Sequence, residues 1–302
     1  MTLISIESLG VTSIQDAGRP NYEHVGVSAS GVADDFAYGC LMQLLQQPAG
    51  APVFEHLSGV FTIRNTGEAP AAVAILGDGH ALLGKHQASR NTVFELAEGE
   101  RLTAVATQGQ PLWIGIAGLH TSSTLGSHSF DSMATLGPVL RVGDTFTVSG
   151  MHQHLLGRFV RQTSSIRPAQ PQLLRFIPGP HADLLDLDHR SFSVGAASRS
   201  GIRLSASSAM PHTLSLSSMP VMPGVIQLPP DGNPIVLSLD SGVTGGYPIL
   251  GTLISADIRK LAWLAPDTNV TFAATTPAAA AAQWRRQRDE IARSATDLNL
   301  RP

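Results

Sequence analysis

Short apolar segments separated by turn residues make up most of the chain. Most of these segments are bounded by Gly, Pro, Asn or Asp, which is typical of a β-sandwich or β-barrel. Predicted strands cover 59–65, 71–76, 92–96, 101–107, 112–117, 145–148, 173–177, 213–217, 225–228, 235–239 and 270–273. The connections are too short for repeated helical crossovers. The pattern therefore predicts an all-β fold with a few helices.

Helical periodicity interrupts the strand pattern at three places. Apolar residues recur at i, i+3, i+4, i+7 and i+8 over 33–45, which predicts an amphipathic helix there. A second, short helix is predicted over 256–264. A third begins at Thr276 and Pro277, a favourable N-cap and N1 pair, and extends past Ile291. The third helix carries several arginines, which we interpret as a solvated face.

The chain divides most readily at a polar segment, 162–172, which contains two prolines and has strand-like sequence on both sides. This segment predicts an N-terminal β domain over 1–165 and a C-terminal β domain over 170–275. Residues 276–302 then form a C-terminal helix and tail.

Composition and charge exclude several classes of protein. The chain has 302 residues, of which 14% are charged, and its net charge of −3 does not favour nucleic acid or an anionic membrane. The single cysteine excludes a disulfide framework and a cysteine-based zinc site. We predict no metal site, because His152 and His154 lack a third ligand nearby. No secretory signal or long apolar run is apparent, so the expected location is the cytoplasm.

The first candidate segment for chemistry runs from Ser13 into the first predicted helix. Within it, Gln15, Asp16, Gly31 and Asp34 are candidate substrate-binding residues, and Arg19 is a candidate catalytic residue. Glycines allow backbone amides to approach a ligand closely, and a helix N-terminus favours an anion. The alternative is a structured turn in which Asp16 accepts backbone hydrogen bonds and Arg19 pairs locally.

A second candidate segment places two arginines, Arg199 and Arg203, on either side of Gly201. Two guanidinium groups at this spacing are suited to an anionic group, and we consider both arginines as catalytic candidates. The alternative is that they bind backbone carbonyls at the end of a bulged strand.

A third candidate segment contains Thr244, Gly245, Gly246 and Tyr247. The glycines expose backbone donors, Thr244 adds a hydroxyl, and Tyr247 offers a ring with a polar tip. Gln227 is a polar residue within an apolar stretch, so it belongs either to a pocket or to a hydrogen-bonded core. A tight turn before a strand would explain the same glycines without a ligand.

Taken in order, these segments and several shorter ones resemble the allophanate hydrolase subunit 2 family. The resemblance spans about residues 3–273 and depends on the ordered set of motifs rather than on any one of them. The matching motifs are Thr12-Ser13-Ile14-Gln15-Asp16-x-Gly18-Arg19, Gly26-Val27, Gly31-x-x-Asp34, Phe54-Glu55, Leu125-Gly126-Ser127-x-Ser129, Gly143-Asp144, Pro178-Gly179-Pro180, Arg199-x-Gly201-x-Arg203-Leu204, Pro223-Gly224-x-Ile226-Gln227-x-Pro229-Pro230 and Thr244-Gly245-Gly246-Tyr247-Pro248.

This family includes the C subunit of ATP-dependent 5-oxoprolinase, KipA-type regulators and the carboxyltransferase part of urea carboxylase. The resemblance implies two cyclophilin-like β-barrel halves with a cleft between them. It also implies partner chains, namely the KipI-like B subunit and the A subunit of 5-oxoprolinase, and a small acidic or amide substrate. In the 5-oxoprolinase version the complex opens the lactam of 5-oxoproline to glutamate.

The resemblance implies that ATP acts at the level of the complex, and no P-loop motif occurs in this chain. A phosphorylated amide passes through an anionic transition state that needs donors and cations. Arg19, Arg199, Arg203 and the amides of Gly245 and Gly246 are suited to that task, and Tyr247 completes the candidate catalytic set.

Two alternatives remain open at this point. The family often has glutamate where Met219 stands, and glutamine commonly precedes the segment that contains Gly242. Loss of these polar groups favours a KipA-like regulator that binds a partner without catalysis. The other alternative is a carboxyltransferase that acts with a separate biotin carrier.

Overall fold

A computed structural model describes residues 1–150, 152–160, 166–169, 172–206, 209, 211–214 and 216–296. The N-terminal half is a ten-stranded sheet. Its strands are β1 (Thr2–Ser8), β2 (Val11–Gln15), β3 (Val53–Asn65), β4 (Ala71–Gly77), β5 (His80–Leu83), β6 (His86–Gln87), β7 (Val93–Leu96), β8 (Arg101–Ala106), β9 (Leu112–Ile116) and β10 (Thr145–Val148).

The long strand β3 organises this sheet because it pairs with four neighbours. Its first part pairs with β2 and β9, and its second part pairs with β1 and β8. Gly59, at φ 88°, lies between the two parts. The sheet curls around an apolar interior that includes Phe54, Phe61 and Ile114.

The C-terminal half is a closed barrel of seven strands. These strands are β12 (Gln172–Pro178), β13 (Ser191–Ala197), β14 (Gly201–Ser205), β16 (Val225–Gln227), β17 (Ile235–Leu237), β19 (Ile249–Leu253) and β20 (Asn269–Ala274). Their spatial order is β12-β19-β16-β17-β14-β13-β20, and parallel pairing of β12 with β20 closes the barrel and leaves no free edge. Phe176, Phe192 and Phe272 meet edge to face inside it.

Two short strand pairs lie outside these sheets. One joins β15 (Met219–Pro220) to β18 (Thr244–Gly245). The other joins β11 (Phe159–Val160) to β21 (Ala295–Thr296), so the last described residues return to the end of the N-terminal half.

Helix α1 (Asp35–Leu45) lies where the two halves meet, and its apolar stripe is buried as the periodicity predicted. It contacts the N-terminal sheet and the C-terminal helix α3 (Pro277–Ala292). The indole rings of Trp113 and Trp263, one from each half, lie 5.5 Å apart between their centroids in the same core. Apolar burial therefore joins the halves rather than leaving them as independent units.

The predicted fold class is confirmed: most of the regular secondary structure among the described residues is strand, arranged as a curled sheet and a closed barrel. The first and third helices are confirmed, with Thr276 as N-cap and a proline at N1 of the third. The second is a short α2 (Ser255–Ile258) that continues as a 3-10 helix. No described helix is both long and apolar enough to span a bilayer.

One predicted strand, 213–217, is wrong for its described residues, none of which lies in a strand. The ring of His212 accepts a hydrogen bond from the amide of Leu214 and also contacts the carbonyl of Leu228. Such local side-chain bonding competes with a sheet ladder. Much of the predicted linker, at 162–165 and 170–171, lies outside the described residues, and the domain boundaries stay predictions.

We expect the thiol of Cys40 to be unreactive in the folded protein. Cys40 is fully buried in α1, and burial raises its thiol pKa to about 12. Because the thiolate is the nucleophile, alkylation should follow unfolding. Iodoacetamide labelling followed by mass spectrometry checks this, and rapid labelling without denaturant would contradict it.

The substitution Asp35→Asn is expected to stabilise the protein at pH 8 by about 1 kcal/mol, after allowance for partial solvent screening. Burial, and then the neighbouring carboxylate of Asp34, raise the pKa of Asp35 from 3.8 to about 6. The folded state therefore holds an extra proton between about pH 4 and pH 6, so this group's contribution to stability falls as the pH rises through that window.

The amide oxygen of asparagine can still accept the bond that Gln287 donates to Asp35 at 3.0 Å. Denaturant unfolding of both proteins at pH 4 and pH 8 checks the prediction. The stability gain should vanish at pH 4, and an equal gain at both pH values would contradict titration of Asp35 as its cause.

Candidate functional site

A cleft of about 380 Å³ lies between the N-terminal sheet and the C-terminal barrel. We call it the junction cleft. Both halves contribute to its walls, which are largely Gly, Ala, Val, Leu and Ile. Its polar lining consists of Ser58, Gln108, Ser132, Ser198, Arg199 and Ser238. A concave, mainly apolar site with a few polar groups is the usual form of a small-molecule site.

Arg199, in the turn between β13 and β14, connects the two halves at the wall of this cleft. Its Nε and Nη2 donate to the two carboxylate oxygens of Asp240, each at 2.8 Å. Its Nη1 donates to Glu55 of β3, and its Nη2 also donates to the carbonyl of Gly31 at 2.7 Å. We refer to Arg199, Glu55 and Asp240 as the Arg199 cluster.

Both carboxylates of the cluster are completely buried and held by further donors. Glu55 accepts from the amide of Ala33 at 2.6 Å and from the indole of Trp113 at 2.9 Å. Asp240 accepts from Ser30 at 2.7 Å and from the hydroxyl of Ser132 at 2.8 Å. These bonds anchor the cluster to β9 and to the loops at the junction.

The charges of the cluster stabilise one another against the cost of burial. Burial alone would lower the pKa of Arg199, but the carboxylates of Glu55 and Asp240 raise it above its ordinary value. Burial also opposes ionisation of Asp240, yet Arg199 holds the Asp240 pKa below its ordinary value. One guanidinium and two carboxylates leave the cluster with one net negative charge.

Asp16 organises the first candidate segment by accepting hydrogen bonds rather than by facing the cleft. One carboxylate oxygen accepts from Gly18 at 2.8 Å and from the hydroxyls of Ser127 and Ser129, both at 2.6 Å. The other accepts from the amide of His128 at 2.6 Å. This arrangement corresponds to the structured-turn interpretation of the segment.

Gln15 and Arg19 are buried beside the same loop. The amide of Gln15 donates to the carbonyl of Phe130 at 2.9 Å, and the guanidinium of Arg19 donates to the carbonyl of Ser129. Within the described part of the chain, Nε and Nη1 of Arg19 have no hydrogen-bond partner. Arg19 is 1% exposed and does not line the junction cleft.

Asp34 is the N-cap of α1 and a second link between the halves. One of its oxygens accepts from the amides of Phe36 and Ala37, at 3.0 and 2.9 Å. The other accepts from Arg259 at 2.8 Å and from the indole of Trp263 at 2.7 Å. The carboxylate of Asp34 is therefore engaged in stabilising the junction.

The remaining predicted site residues lie apart from the cluster. Arg203 is exposed on β14, and Tyr247 is 42% exposed. Thr244 and Gly245 form β18, opposite Pro220 and Met219. None of the hydrogen bonds or ion pairs found between described residues joins these positions to Arg199.

Gln227, on β16, is buried and lies directly against Gly245. A Cβ atom on Gly245 would lie 2.5 Å from Nε2 of Gln227, so a larger residue there would displace the Gln227 amide. Gly246 similarly lies close to the carbonyl of Leu216. Nε2 of Gln227 has no hydrogen-bond partner among the described residues.

Of the predicted site residues, the structure brings Arg199 and Gly31 into direct contact. Glu55 and Asp240 complete the cluster, although sequence reasoning assigned neither of them a role. A carboxylate within the apolar stretch Val53-Phe54-Glu55 was the available signal. Among the described residues, no group of three or more His, Cys, Asp or Glu is placed to hold a metal ion.

Comparison with known proteins agrees with this architecture. The chain is 28% identical over 272 residues to the C subunit of 5-oxoprolinase from Escherichia coli K12, covering 83% of this chain and 84% of that protein. The C subunit of 5-oxoprolinase from Haemophilus influenzae is 34% identical over 89 residues, which cover 28% of this chain and 29% of that protein.

Two solved structures have the same fold. The structure of TTHA0988 superposes with a TM-score of 0.81 at 27% identity, covering 91% of this chain but 56% of that chain. The urea amidolyase of Kluyveromyces lactis superposes with a TM-score of 0.83 at 20% identity, covering 96% of this chain and 20% of that chain. This chain thus corresponds to about half of TTHA0988 and a fifth of the amidolyase.

The family described as carboxyltransferase domain, subdomain A and B, matches residues 25–274, a span that includes α1, the Arg199 cluster and most of both halves. The chain belongs to this carboxyltransferase-domain family.

Proposed function

We propose that this protein is the C subunit of an ATP-dependent 5-oxoprolinase that opens the lactam of 5-oxoproline to glutamate. The observation that carries the proposal is the similarity to the C subunit of 5-oxoprolinase over 83% of the chain. The junction cleft supports it, because its volume of about 380 Å³ accommodates a small lactam. The partners are the B and A subunits, and the protein acts in the cytoplasm as part of that complex.

In this proposal the cleft binds the substrate, and the Arg199 cluster fixes the relative position of its walls. Ser58 and Ser238 line the cleft, and within the described part of the chain their hydroxyls make no hydrogen bond. They are therefore suited to bind the lactam carbonyl or its N–H. Arg199 is a positioning residue, since its guanidinium is already bound by Asp240 and Glu55.

Reconstitution with the B and A subunits from the same source tests the proposal. ATP-dependent release of glutamate from 5-oxoproline is followed by chromatography, with each chain omitted in turn as a control. We expect release from the complete mixture and none when this chain is omitted. A folded, assembled complex that releases no glutamate would reject the proposal.

A carboxyltransferase activity is the second candidate, favoured by the family to which the chain belongs. It would act on a urea-like or amide substrate with a biotin carrier on another chain. Avidin-sensitive carboxylation by the assembled complex would support it, and ATP-dependent hydrolysis that is insensitive to avidin would count against it. Partner binding without either activity would instead favour a KipA-like regulator.

A further inference from the structure

The charge of the junction cleft differs from what an acidic ligand would require. Among the described residues that line the cleft, Arg199 is the sole charged side chain. Its side chain is 9% exposed, and it forms ion pairs with both Glu55 and Asp240. A guanidinium that already pairs with two carboxylates is not available to pair with a substrate carboxylate as well.

The cluster also offers an anion in the cleft no uncompensated cation. Glu55 and Asp240 do not themselves line the cleft, but their two carboxylates outnumber the single cation that does, and buried charges are screened less than charges at the surface. The remaining polar groups in the lining are uncharged hydroxyls and the amide of Gln108. Hydroxyls and an amide can satisfy the donor and acceptor of an amide bond without a counter-charge.

We propose that the junction cleft binds an uncharged amide or lactam group, and that the cation for an acidic substrate's carboxylate comes from a partner chain. This proposal rests on the proposed function, because it concerns the same site. It implies that the site for 5-oxoproline is complete only in the assembled complex. The isolated chain should then bind an acidic ligand no more tightly than a neutral ligand of the same size.

Two ligands of nearly equal size test this directly: 5-oxoproline, which carries a carboxylate, and 5-oxoprolinamide, which carries a neutral amide at the same position. Binding of each to the isolated protein is measured by calorimetry or by ligand-observed NMR. We expect the neutral ligand to bind at least as tightly as the acid. In the assembled complex the preference should reverse, with the acid favoured by about tenfold or more in kcat/KM.

Gln108 offers a matched pair of variants because it is exposed and lines the cleft, and its replacement leaves the Arg199 cluster, Ser58 and Ser238 unchanged. The substitution Gln108→Lys supplies a cation in cis and should shift the ratio of dissociation constants towards the acid by about three- to tenfold. The substitution Gln108→Glu should shift the ratio in the opposite direction. Circular dichroism and melting temperature confirm that both variants are folded.

The outcomes separate the two proposals. A wild-type isolated chain that prefers 5-oxoproline by about tenfold or more would overturn the cleft inference, even if the complex is active. The inference would also be overturned if neither Gln108 substitution changes the ratio of the dissociation constants of the isolated chain for the two ligands, or the ratio of the KM values of the complex for them. Failure of the complex to release glutamate rejects the proposed function, whereas the ligand preference of the isolated chain can still support the inference. Binding of neither ligand, to the chain or to the complex, overturns both.

Discussion

Replacing Arg199 with methionine is expected to lower the free energy of unfolding by about 3–5 kcal/mol at pH 8. The substitution removes the one cation between two completely buried carboxylates, Glu55 and Asp240. These groups would then be buried without a compensating cation, which costs stability. Methionine keeps most of the side-chain volume, so the loss reports charge rather than a cavity.

Denaturant unfolding measured at pH 5 and pH 8 checks this cause. Burial raises the pKa of Asp240 and Arg199 lowers it, so without Arg199 the pKa of Asp240 should rise above that of the unfolded chain, and the deficit should shrink as the pH falls. The triple variant Arg199→Met, Glu55→Gln and Asp240→Asn should recover at least half of the loss at pH 8. Arg203→Met, an exposed position on β14, is the matched control, and a loss there as large as at Arg199 would contradict the prediction.

The substitution Asp34→Ala is expected to lower the free energy of unfolding by about 3 kcal/mol. It removes the N-cap of α1, which contributes about 1 kcal/mol by itself. It also removes the buried carboxylate that binds Arg259 and Trp263. Because α1 joins the two halves, both should unfold together at lower denaturant concentration.

Two substitutions separate the cap from the ion pair. Asp34→Asn keeps a capping oxygen but not the charge, so it should lose less stability than Asp34→Ala. Asp35→Asn, one residue along, should stabilise instead. Urea unfolding compares the three, and equal losses for Asp34→Asn and Asp34→Ala would show that the ion pair dominates and the cap contributes little.

Sequence reasoning anticipated elements whose signal is local. Periodicity located α1, and the Thr276-Pro277 pair located the start of α3, because helix formation depends on neighbours within four residues. Most strands were located by their short apolar segments in the same way. The prediction for 213–217 was wrong for its described residues; there the amide of Leu214 donates to the ring of His212, a side-chain contact that propensity does not report.

The candidate site depended far more on contacts between distant residues. Arg199 and Asp16 were singled out as unusual polar residues, but their partners lie far away in the sequence. Arg199 binds Glu55 across 144 positions, and Asp16 binds Ser129 across 113. Nothing in the sequence near Arg199, which was predicted as a catalytic residue, indicates that its charge is already compensated by two distant carboxylates.

The sequence by itself determined the strand-rich class, the positions of α1 and α3, and the ordered motifs of the family. Periodicity, caps and turn residues act over a few positions, so the linear sequence contains them. Only the tertiary structure decided which charged groups contact one another at the junction and which of them are already paired. Burial and ion pairing are set by groups brought together from both halves, and the pairing of Arg199 with Glu55 and Asp240 follows from that meeting alone.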